Sequence, residues 1–278
     1  MGDGNGVLTG NLTGVGIRGT AAAVRRASRS PYAGVERLRP PLIVHASHHK
    51  VGTVWFENVL GTVSRQHRLR FREMAGSGPV PEGTHVAFYP HASNVPWETL
   101  DRRRTRVSHM VRDPRDMAVS AYFYHCRSEE EWLHRPLAHL GGRSYQEHLR
   151  SLPTPAGLSE EIRRMALNQL PDLLGWDYGR PGVLELRYED VIADEEAAFR
   201  ALFAHYGFHP DAAADAVATA LTFSLSQRKG GAGPGHARSG RPGEWREVFQ
   251  DEHVALFKEL LGGALVQLGY ESSDAWSL

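Results

Sequence analysis

A lysine, a glycine and a threonine follow one another in the order expected of a loop that binds an anion. Lys50, Gly52 and Thr53 lie in Pro41–Trp55, PLIVHASHHKVGTVW, where a short apolar run ends and a helical pattern begins. Backbone N–H groups at a helix start point outward, and the helix dipole favours negative charge there. Gly52 lets the backbone approach an anion closely, and Lys50 adds a point charge.

This loop departs from the P-loop pattern of ATPases, in which a glycine opens the loop and Gly-Lys precedes Ser or Thr. Here Lys50 precedes Gly52, and no glycine opens the loop. Thr53 is expected to cap the helix and to bind a phosphate oxygen. An ordinary capped helix after a strand has the same pattern, so this loop alone does not distinguish a purely structural role from anion binding.

A second candidate anion site lies in Arg106–Ser120, RVSHMVRDPRDMAVS. Asp113 is a suitable N-cap and Pro114 suits the first helical position. Arg112 is therefore expected at the carboxyl edge of a strand, where α/β sheets bind ligands. Ser120 then lies about two turns into the helix. Two such sites indicate a nucleotide with phosphate-like groups at both ends.

Composition limits the class of protein. The chain has 278 residues, and its 32 Lys+Arg balance its 32 Asp+Glu. Zero net charge argues against bulk nucleic-acid binding. Cys126 is the only cysteine, which excludes an internal disulfide and favours a reducing compartment. No apolar run approaches the ~20 residues of a membrane span, so we expect a cytoplasmic protein with neither nucleic acid nor membrane as partner.

Apolar runs alternate with helical patterns from Pro41 onward, which predicts an α/β fold. The predicted strands are Leu42–Ala46, His85–Tyr89, Val107–Val111 and Val183–Arg187. The predicted helices are Thr53–Gln66, Pro114–Cys126, Glu160–Leu174, Glu195–Tyr206, Asp211–Ala220 and Glu252–Val266. We expect a single P-loop-type domain at 39–278, with a central parallel sheet flanked by helices. Residues 1–38, rich in Gly, Ala, Arg and Ser, are interpreted as a flexible N-terminal arm.

In the two candidate anion segments and in two later motifs, the chain resembles sulfotransferases that use 3′-phosphoadenosine 5′-phosphosulfate (PAPS). The two anion segments are similar to the family's nucleotide signatures, PKSGTTW and approximately RDPRDxxxS. Val183–Val191, VLELRYEDV, resembles the family's strand that ends in YED. Arg238–Trp245, RSGRPGEW, is similar to its RKGxxGDW loop. The four motifs keep the family's order, and the resemblance implies PAPS as co-substrate, PAP as product and no metal.

The resemblance implies roles at the 5′ end of the nucleotide. Lys50 would bridge the leaving phosphate oxygen and the sulfuryl group. The loop that follows would bind the 5′-phosphate through backbone N–H groups and lie near the adenine. These contacts are expected from Val51, Gly52, Thr53, Val54 and Trp55.

At the other end, Arg112 and Ser120 would hold the 3′-phosphate. The remaining nucleotide contacts are expected from Tyr188, Phe223, Arg238, Ser239 and Gly240. Ser239 replaces the usual lysine, so Arg228 or Lys229 of the earlier RKG copy could supply the missing charge. Which of the RKG and RSG copies binds stays open.

Transfer to a hydroxyl also needs a base, for which imidazole is suited near neutral pH. Family members use a histidine just after the strand between the two signatures, and His91 in HVAFYPHASN occupies that place. Its rivals by location are His85, His48, His49 and His109. The spacing of His45, His48 and His49 has no HExxH pattern beside it, so we interpret them as loop histidines, with no metal.

The sequence therefore predicts transfer of a sulfuryl group onto a hydroxyl of a small-molecule, natural-product or sugar acceptor. A P-loop-type nucleoside or sugar kinase and a non-catalytic nucleotide-binding module remain as alternatives. Several aromatic residues could line an apolar acceptor site, although core packing explains them equally well. They are Trp97, Tyr122, Phe123, Tyr124 and Trp132. The glutamate run 129–131 is interpreted as a solvated helix extension.

Overall fold

The computed structural model describes residues 30–34, 36, 39–225 and 240–278. At its centre is a parallel sheet with strand order β2-β3-β1-β4-β5. The strands are β1 (Leu42–Ala46), β2 (Phe71–Glu73), β3 (Val86–Tyr89), β4 (Thr105–Val111) and β5 (Val183–Arg187). Ala46 pairs with Tyr89 on one side and with His109 on the other. The carboxyl ends of β3, β1 and β4 therefore meet at one edge, where α/β sheets bind ligands.

Helices flank this sheet. They are α1 (Thr53–Gln66), α2 (Pro114–His125), α3 (Tyr145–Ser151), α4 (Thr154–Asn168), α5 (Leu170–Leu174), α6 (Tyr188–Ala193), α7 (Glu195–His205), α8 (Pro210–Leu221), α9 (Trp245–Val248), α10 (Asp251–Leu261) and α11 (Ala264–Gln267). Short 3-10 turns cover Ala92–Asn94, Trp97–Thr99, Glu131–His134 and Ala138–Leu140. Within the described ranges, no helix combines the length and the apolar character needed to cross a membrane.

Both faces of the sheet are buried, which explains the continuous apolar runs of its strands. Along β1, Ile43 belongs to a large cluster with α1, whereas Val44 and Ala46 belong to a smaller cluster that includes Trp176. His45 faces the first cluster, stacked against Phe56 and against Phe88 at centroid distances of 5.0 and 5.3 Å. Burial lowers the pKa of His45 to about 3, so this histidine is a neutral part of the core.

The predicted α/β class with a parallel sheet flanked by helices is confirmed. The bounds of β1, β5 and α1 are those predicted, and α2, α7 and α8 begin and end within one residue of the prediction. Two long predicted helices are wrong. Glu160–Leu174 is divided at Gln169, because Pro171 lacks an N–H and its ring opposes continuation of the preceding turn. Glu252–Val266 is interrupted at Gly263, which has φ 77°.

Part of the predicted organisation lies outside the described residues. In the predicted arm 1–38, residues 1–29, 35, 37 and 38 lie outside the described residues. The predicted nucleotide contacts Arg238 and Ser239 lie outside them as well. Tyr32, which is described, is buried with its ring edge-on to Phe208 at 5.5 Å.

Candidate active site

Residues 47–52, the predicted anion-binding loop (the anion loop below), follow β1 at the carboxyl edge of the sheet. Lys50 and Gly52 both have left-handed backbone conformations, with φ 67° and φ 102°. A Cβ at Gly52 would lie 3.3 Å from the ring of Tyr188. Glycine is therefore required both by conformation and by a close neighbour. The loop delivers the chain into α1, whose first N–H groups point out of the sheet edge.

The predicted helix cap at Thr53 is wrong. Gly52 occupies the N-cap position, and α1 has no side-chain cap. The Thr53 hydroxyl donates instead to the carbonyl of His48 at 2.5 Å and lies 3.0 Å from the hydroxyl of Ser47. The Thr53 side chain thus bonds within its own loop, and the N–H groups of the helix start remain available to an anion.

Lys50 lies in a constrained position above an aromatic ring. Its Nζ is 3.5 Å from the centroid of Tyr124, a cation–π distance. Burial and, next, the Arg112 charge lower the pKa of Lys50 to about 7, although Glu130 and Glu161 oppose the shift. A bound anion would favour the protonated ammonium group.

Arg112 connects the two predicted anion sites. It lies at the end of β4, and its Nη1 donates to the carbonyl of Lys50 at 3.2 Å. Its guanidinium carbon is 4.4 Å from the ring centroid of Tyr188. Arg112 is only 5% exposed, and its Nε has no hydrogen-bond partner among the described residues. A buried guanidinium with an unused donor fits an anionic ligand.

Tyr188 contacts the described part of the segment Arg238–Trp245. Its hydroxyl donates to the carbonyl of Gly240 at 2.7 Å. The backbone N–H groups of Gly243 and Trp245 donate to the carboxylate of Asp116 at 2.7 and 2.9 Å. The chain from Gly240 to Trp245 is therefore fixed beside α2 and the start of α6.

The other predicted nucleotide residues lie around this centre. Trp55 is buried edge-on to Tyr188 at 6.2 Å, and its Nε1 has no partner among the described residues. Val51 is fully buried, whereas Val54 is 40% exposed on α1. Ser120 is partly buried about two turns into α2, and Phe223 is partly buried after α8. Their roles stay predictions.

A cleft of about 340 Å³ opens beside the anion loop. Its wall is formed by His48, His49, His91, Glu130, Trp132, Arg164, Asn168, Gln169 and Asp172. The wall contains no aliphatic side chain. Of the aromatic residues proposed from the sequence, Trp132 lines the cleft, whereas Tyr122 is buried in the core and Trp97 packs on Trp176. The polar wall does not agree with an apolar acceptor site.

His91 is the histidine of this wall that is free to contact a ligand. It follows β3 directly, is exposed, and its imidazole has no hydrogen-bond partner within the described part of the chain. Its rival His85 accepts from the N–H of Arg70 at 2.9 Å before β3. The structure thus brings His91 and the anion loop to the same edge of the sheet.

His48 is held at both ring nitrogens, which the sequence did not suggest. Its Nδ1 lies 2.9 Å from Asp172 Oδ2 and its Nε2 lies 2.7 Å from Nε2 of His109. The Nδ1 of His109 is in turn 2.6 Å from Glu185 Oε2. His109 also stacks on Trp176 at 3.9 Å. His48 thus lies in the loop after β1, as predicted, but its ring is buried and held on both sides, whereas the prediction of a loop position for His45 is wrong because His45 lies within β1.

His49 has a similar neighbour. Its Nε2 is 3.3 Å from Nε2 of His125, whose Nδ1 is 2.8 Å from the buried carboxylate of Glu161. The Tyr145 hydroxyl donates to the same carboxylate oxygen at 3.0 Å. Burial holds the pKa of His49 well below its usual value, with Lys50 the next cause. The His48-His49 doublet was the available sequence signal, but its partners lie too far along the chain for spacing to identify them.

The glutamate run is not a solvated helix extension, because α2 ends at His125. Glu130 accepts from the Tyr124 hydroxyl at 2.7 Å and from Trp132 Nε1 at 2.5 Å. It thereby holds the ring beneath Lys50 and forms part of the cleft wall.

Comparison with known proteins identifies solved structures with a similar fold. No family model matches the chain, and neither does any curated sequence. The structure of mouse sulfotransferase SULT7A1 complexed with PAP is similar, with a TM-score of 0.54 and 16% identity over 88% of this chain and 90% of that one. Two retinol dehydratase structures also match, each with a TM-score of 0.46. One contains androsterone and the inactive cofactor PAP, with 14% identity over 84% of this chain and 82% of that one. The other contains retinol and PAP, with 16% identity over 86% of this chain and 84% of that one. The likeness to SULT7A1 shows that this chain has the sulfotransferase fold.

Proposed function

We propose that this protein is a PAPS-dependent sulfotransferase that transfers the sulfuryl group to a hydroxyl of a small-molecule, natural-product or sugar acceptor. The observation that carries the proposal is the hydrogen bond from Arg112 to the Lys50 carbonyl. It joins a buried guanidinium, whose Nε has no partner among the described residues, to the loop between the neighbouring strand β1 and the uncapped start of α1. Two linked anion sites at one sheet edge suit a nucleotide with phosphates at both ends.

The described residues fit such a nucleotide. The open N–H groups at the start of α1 suit the 5′-phosphate, and Gly52 leaves room for its approach. Arg112, with Ser120 and the segment at Gly240, suits the 3′-phosphate. The rings of Trp55 and Tyr188, which pack edge-to-face at 6.2 Å, are the proposed contacts of the base.

Sulfuryl transfer is expected to proceed in line, with negative charge growing on the leaving oxygen, as in phosphoryl transfer. Lys50 and the helix N-terminus stabilise that charge. The acceptor oxygen attacks sulfur from the cleft, and His91 takes the hydroxyl proton. The protein's contribution is then positioning and electrostatics.

The cleft wall supports a polar acceptor over an apolar one. An apolar molecule would leave Arg164, Asn168 and Gln169 without new hydrogen-bond partners after losing water. Each such buried polar group costs about 1–3 kcal/mol. Among the predicted acceptors, sugars and hydroxyl-rich natural products therefore fit best.

A screen with isotopically labelled PAPS and pools of hydroxyl-bearing acceptors, read by mass, tests this function. The expected result is a labelled product from a polar pool, lost in Lys50→Ala and in His91→Ala while PAP still binds. Arg200→Ala, on the exposed face of α7, is the matched control and should retain activity.

Other outcomes of the screen identify the alternatives. PAP binding with no product in any pool would indicate a nucleotide-binding module. Phosphate transfer from Mg-ATP in a parallel arm would indicate a kinase and contradict the proposal.

A further inference from the structure

The cleft wall contains an arginine whose side chain is placed by two aromatic rings. Among the described residues that line the cleft, Arg164 on α4 is the one arginine, and there is no lysine. Its guanidinium carbon lies 4.4 Å from the ring centroid of Trp132 and 5.3 Å from that of Tyr145. Both are cation–π distances, and such a contact leaves the N–H donors of the guanidinium available for hydrogen bonds.

The two rings beside Arg164 are themselves held in place. Trp132 Nε1 donates to Glu130 at 2.5 Å, and the Tyr145 hydroxyl donates to Glu161 at 3.0 Å. The rings stack on each other with 6.2 Å between their centroids. Because its support is fixed, the Arg164 side chain loses less conformational freedom when it binds a ligand.

No carboxylate of the described residues neutralises this arginine. Within that part of the chain, the guanidinium of Arg164 forms no ion pair and no hydrogen bond. The two carboxylates of the cleft wall are bonded elsewhere. Each oxygen of Glu130 accepts from a neutral aromatic side chain, and the oxygens of Asp172 are bonded to His48 and to the Ser93 N–H. An anionic oxygen group would therefore give Arg164 the partner that the described residues do not supply.

Arg164 lies close enough to the anion loop to affect it electrostatically. Burial is the main cause that lowers the pKa of His49, and the charge of Arg164 also contributes. His91 and Arg164 line the same cleft, whose volume is about 340 Å³. A molecule in this cleft with its hydroxyl near His91 can therefore also contact Arg164 with a second group.

We propose that Arg164 binds an anionic oxygen group of the acceptor, so that the substrate is a hydroxyl compound that also bears a carboxylate, a sulfate ester or a phosphate. The inference rests on the proposed function, because it takes this cleft as the acceptor site. The planar guanidinium can donate two parallel hydrogen bonds to such a group. A neutral acceptor would displace water from Arg164 and supply no negative charge in return, which costs free energy.

The anionic group orients the acceptor and takes no part in the transfer. The acceptor hydroxyl forms the new O–S bond as its proton passes to His91. The S–O bond to the nucleotide breaks, and the leaving phosphate oxygen keeps the electron pair. Arg164 is thus a specificity-determining residue that places the hydroxyl for in-line attack.

Titration calorimetry of the full chain, saturated with PAP, tests this site with pairs of compounds that differ in the anionic group. The pairs are methyl glucuronide with methyl glucoside, glucose 6-phosphate with glucose, and galactose 6-sulfate with galactose. At least one acid should bind about tenfold or more tightly than its neutral partner, as expected of a charge-assisted hydrogen bond. The pair with the largest ratio identifies the anionic group. If no acid binds more tightly than its partner, complete absence of binding included, the inference is overturned.

Arg164→Gln should abolish the preference for the acid and leave PAP affinity unchanged. Arg163→Gln is the matched control, because Arg163 is the preceding residue of α4, is exposed and does not line the cleft. It should keep the full preference. A preference that persists in Arg164→Gln would show that the acid binds elsewhere and would overturn the inference. If Arg164→Gln fails to fold, Arg164→Lys takes its place, and it should lower the preference because it keeps the charge without the planar donor pair.

Labelled PAPS with the same pairs separates this inference from the proposed function. We expect kcat/KM for the preferred acid to exceed that for its neutral partner at least about tenfold, with the difference lost in Arg164→Gln. Equal transfer to both members of every pair would support the sulfotransferase and overturn the anionic acceptor. Binding of the acid that depends on Arg164, with transfer to no compound, would contradict the proposed function and support the anion site.

Discussion

In the proposed function, Arg112 and Lys50 bind the opposite ends of a doubly phosphorylated nucleotide. One residue is a buried planar donor, and the other is an ammonium group with a lowered pKa. Both residues could be selected from the sequence, because each stands at the junction of a strand and a helix. Their mutual contact could not, since it joins a side chain to a backbone carbonyl 62 positions away.

Arg112→Ala is expected to weaken PAP by about 10- to 100-fold, because a charge-assisted hydrogen bond contributes about 1.5–3 kcal/mol. The affinity for adenosine 5′-phosphate should change much less. Calorimetry with both ligands measures the difference, and a thermal melt confirms folding. Equal losses for the two ligands would remove Arg112 from the 3′-phosphate site.

We expect Lys50 to make nucleotide binding depend on pH. Its pKa of about 7 in the free protein means that the ammonium loses its proton above neutrality, while a bound phosphate raises that pKa. Affinity for PAP should therefore be highest below about pH 7 and fall by up to about tenfold per pH unit above it. Calorimetry between about pH 6 and 9 measures the slope, and Lys50→Arg should flatten it. A wild-type affinity that is constant over this range would contradict the assigned charge.

At the scale of elements, the turn between β1 and α1 needs a left-handed backbone conformation at Gly52, which any side chain at that position would disfavour. Gly52→Ala places a Cβ 3.3 Å from Tyr188 at φ 102°, which should lower the free energy of unfolding by about 1–2 kcal/mol. It should also weaken PAP, because the helix start is displaced.

Gly61→Ala, within α1, is the matched control for this change. Its Cβ would meet no atom nearer than 3.7 Å, so stability should stay unchanged or rise by about 0.5–1 kcal/mol. Denaturant unfolding of both variants decides. A Gly52→Ala protein as stable as Gly61→Ala would contradict the strained turn.

The elements best predicted from sequence are those with strong local signals. Thr53–Gln66 follows a glycine and keeps a helical period, and Leu42–Ala46 is a buried apolar run. Phe71–Glu73 was missed because a three-residue edge strand with an arginine and a glutamate has no apolar pattern. The break at Gln169 was missed because the apolar period continues past Pro171.

At the scale of the whole molecule, α/β alternation was enough to predict a parallel sheet, whose strand order then brings β1 and β4 together. The two proposed anion sites depend on that adjacency, and their proximity was predictable from it. The polar cleft and the histidine pairs depend on α4 and α5 folding back over the loop, and no local pattern encodes that packing.

Ligand binding should stabilise the whole chain selectively. PAP at about 100 times its dissociation constant should add about 2.7 kcal/mol and raise Tm by about 5–11 °C, whereas Mg-ATP should raise it less. Differential scanning calorimetry measures both shifts. A larger shift with Mg-ATP would favour the kinase alternative.

The central claim is that one adenosine nucleotide is held at both of its phosphates. Titration calorimetry of the wild-type protein with PAP, adenosine 5′-phosphate and adenosine 3′-phosphate tests it most directly. We expect PAP to bind at least about tenfold more tightly than either monophosphate, a difference of about 1.4 kcal/mol or more. A PAP affinity equal to that of one monophosphate, or no PAP binding, would contradict the account.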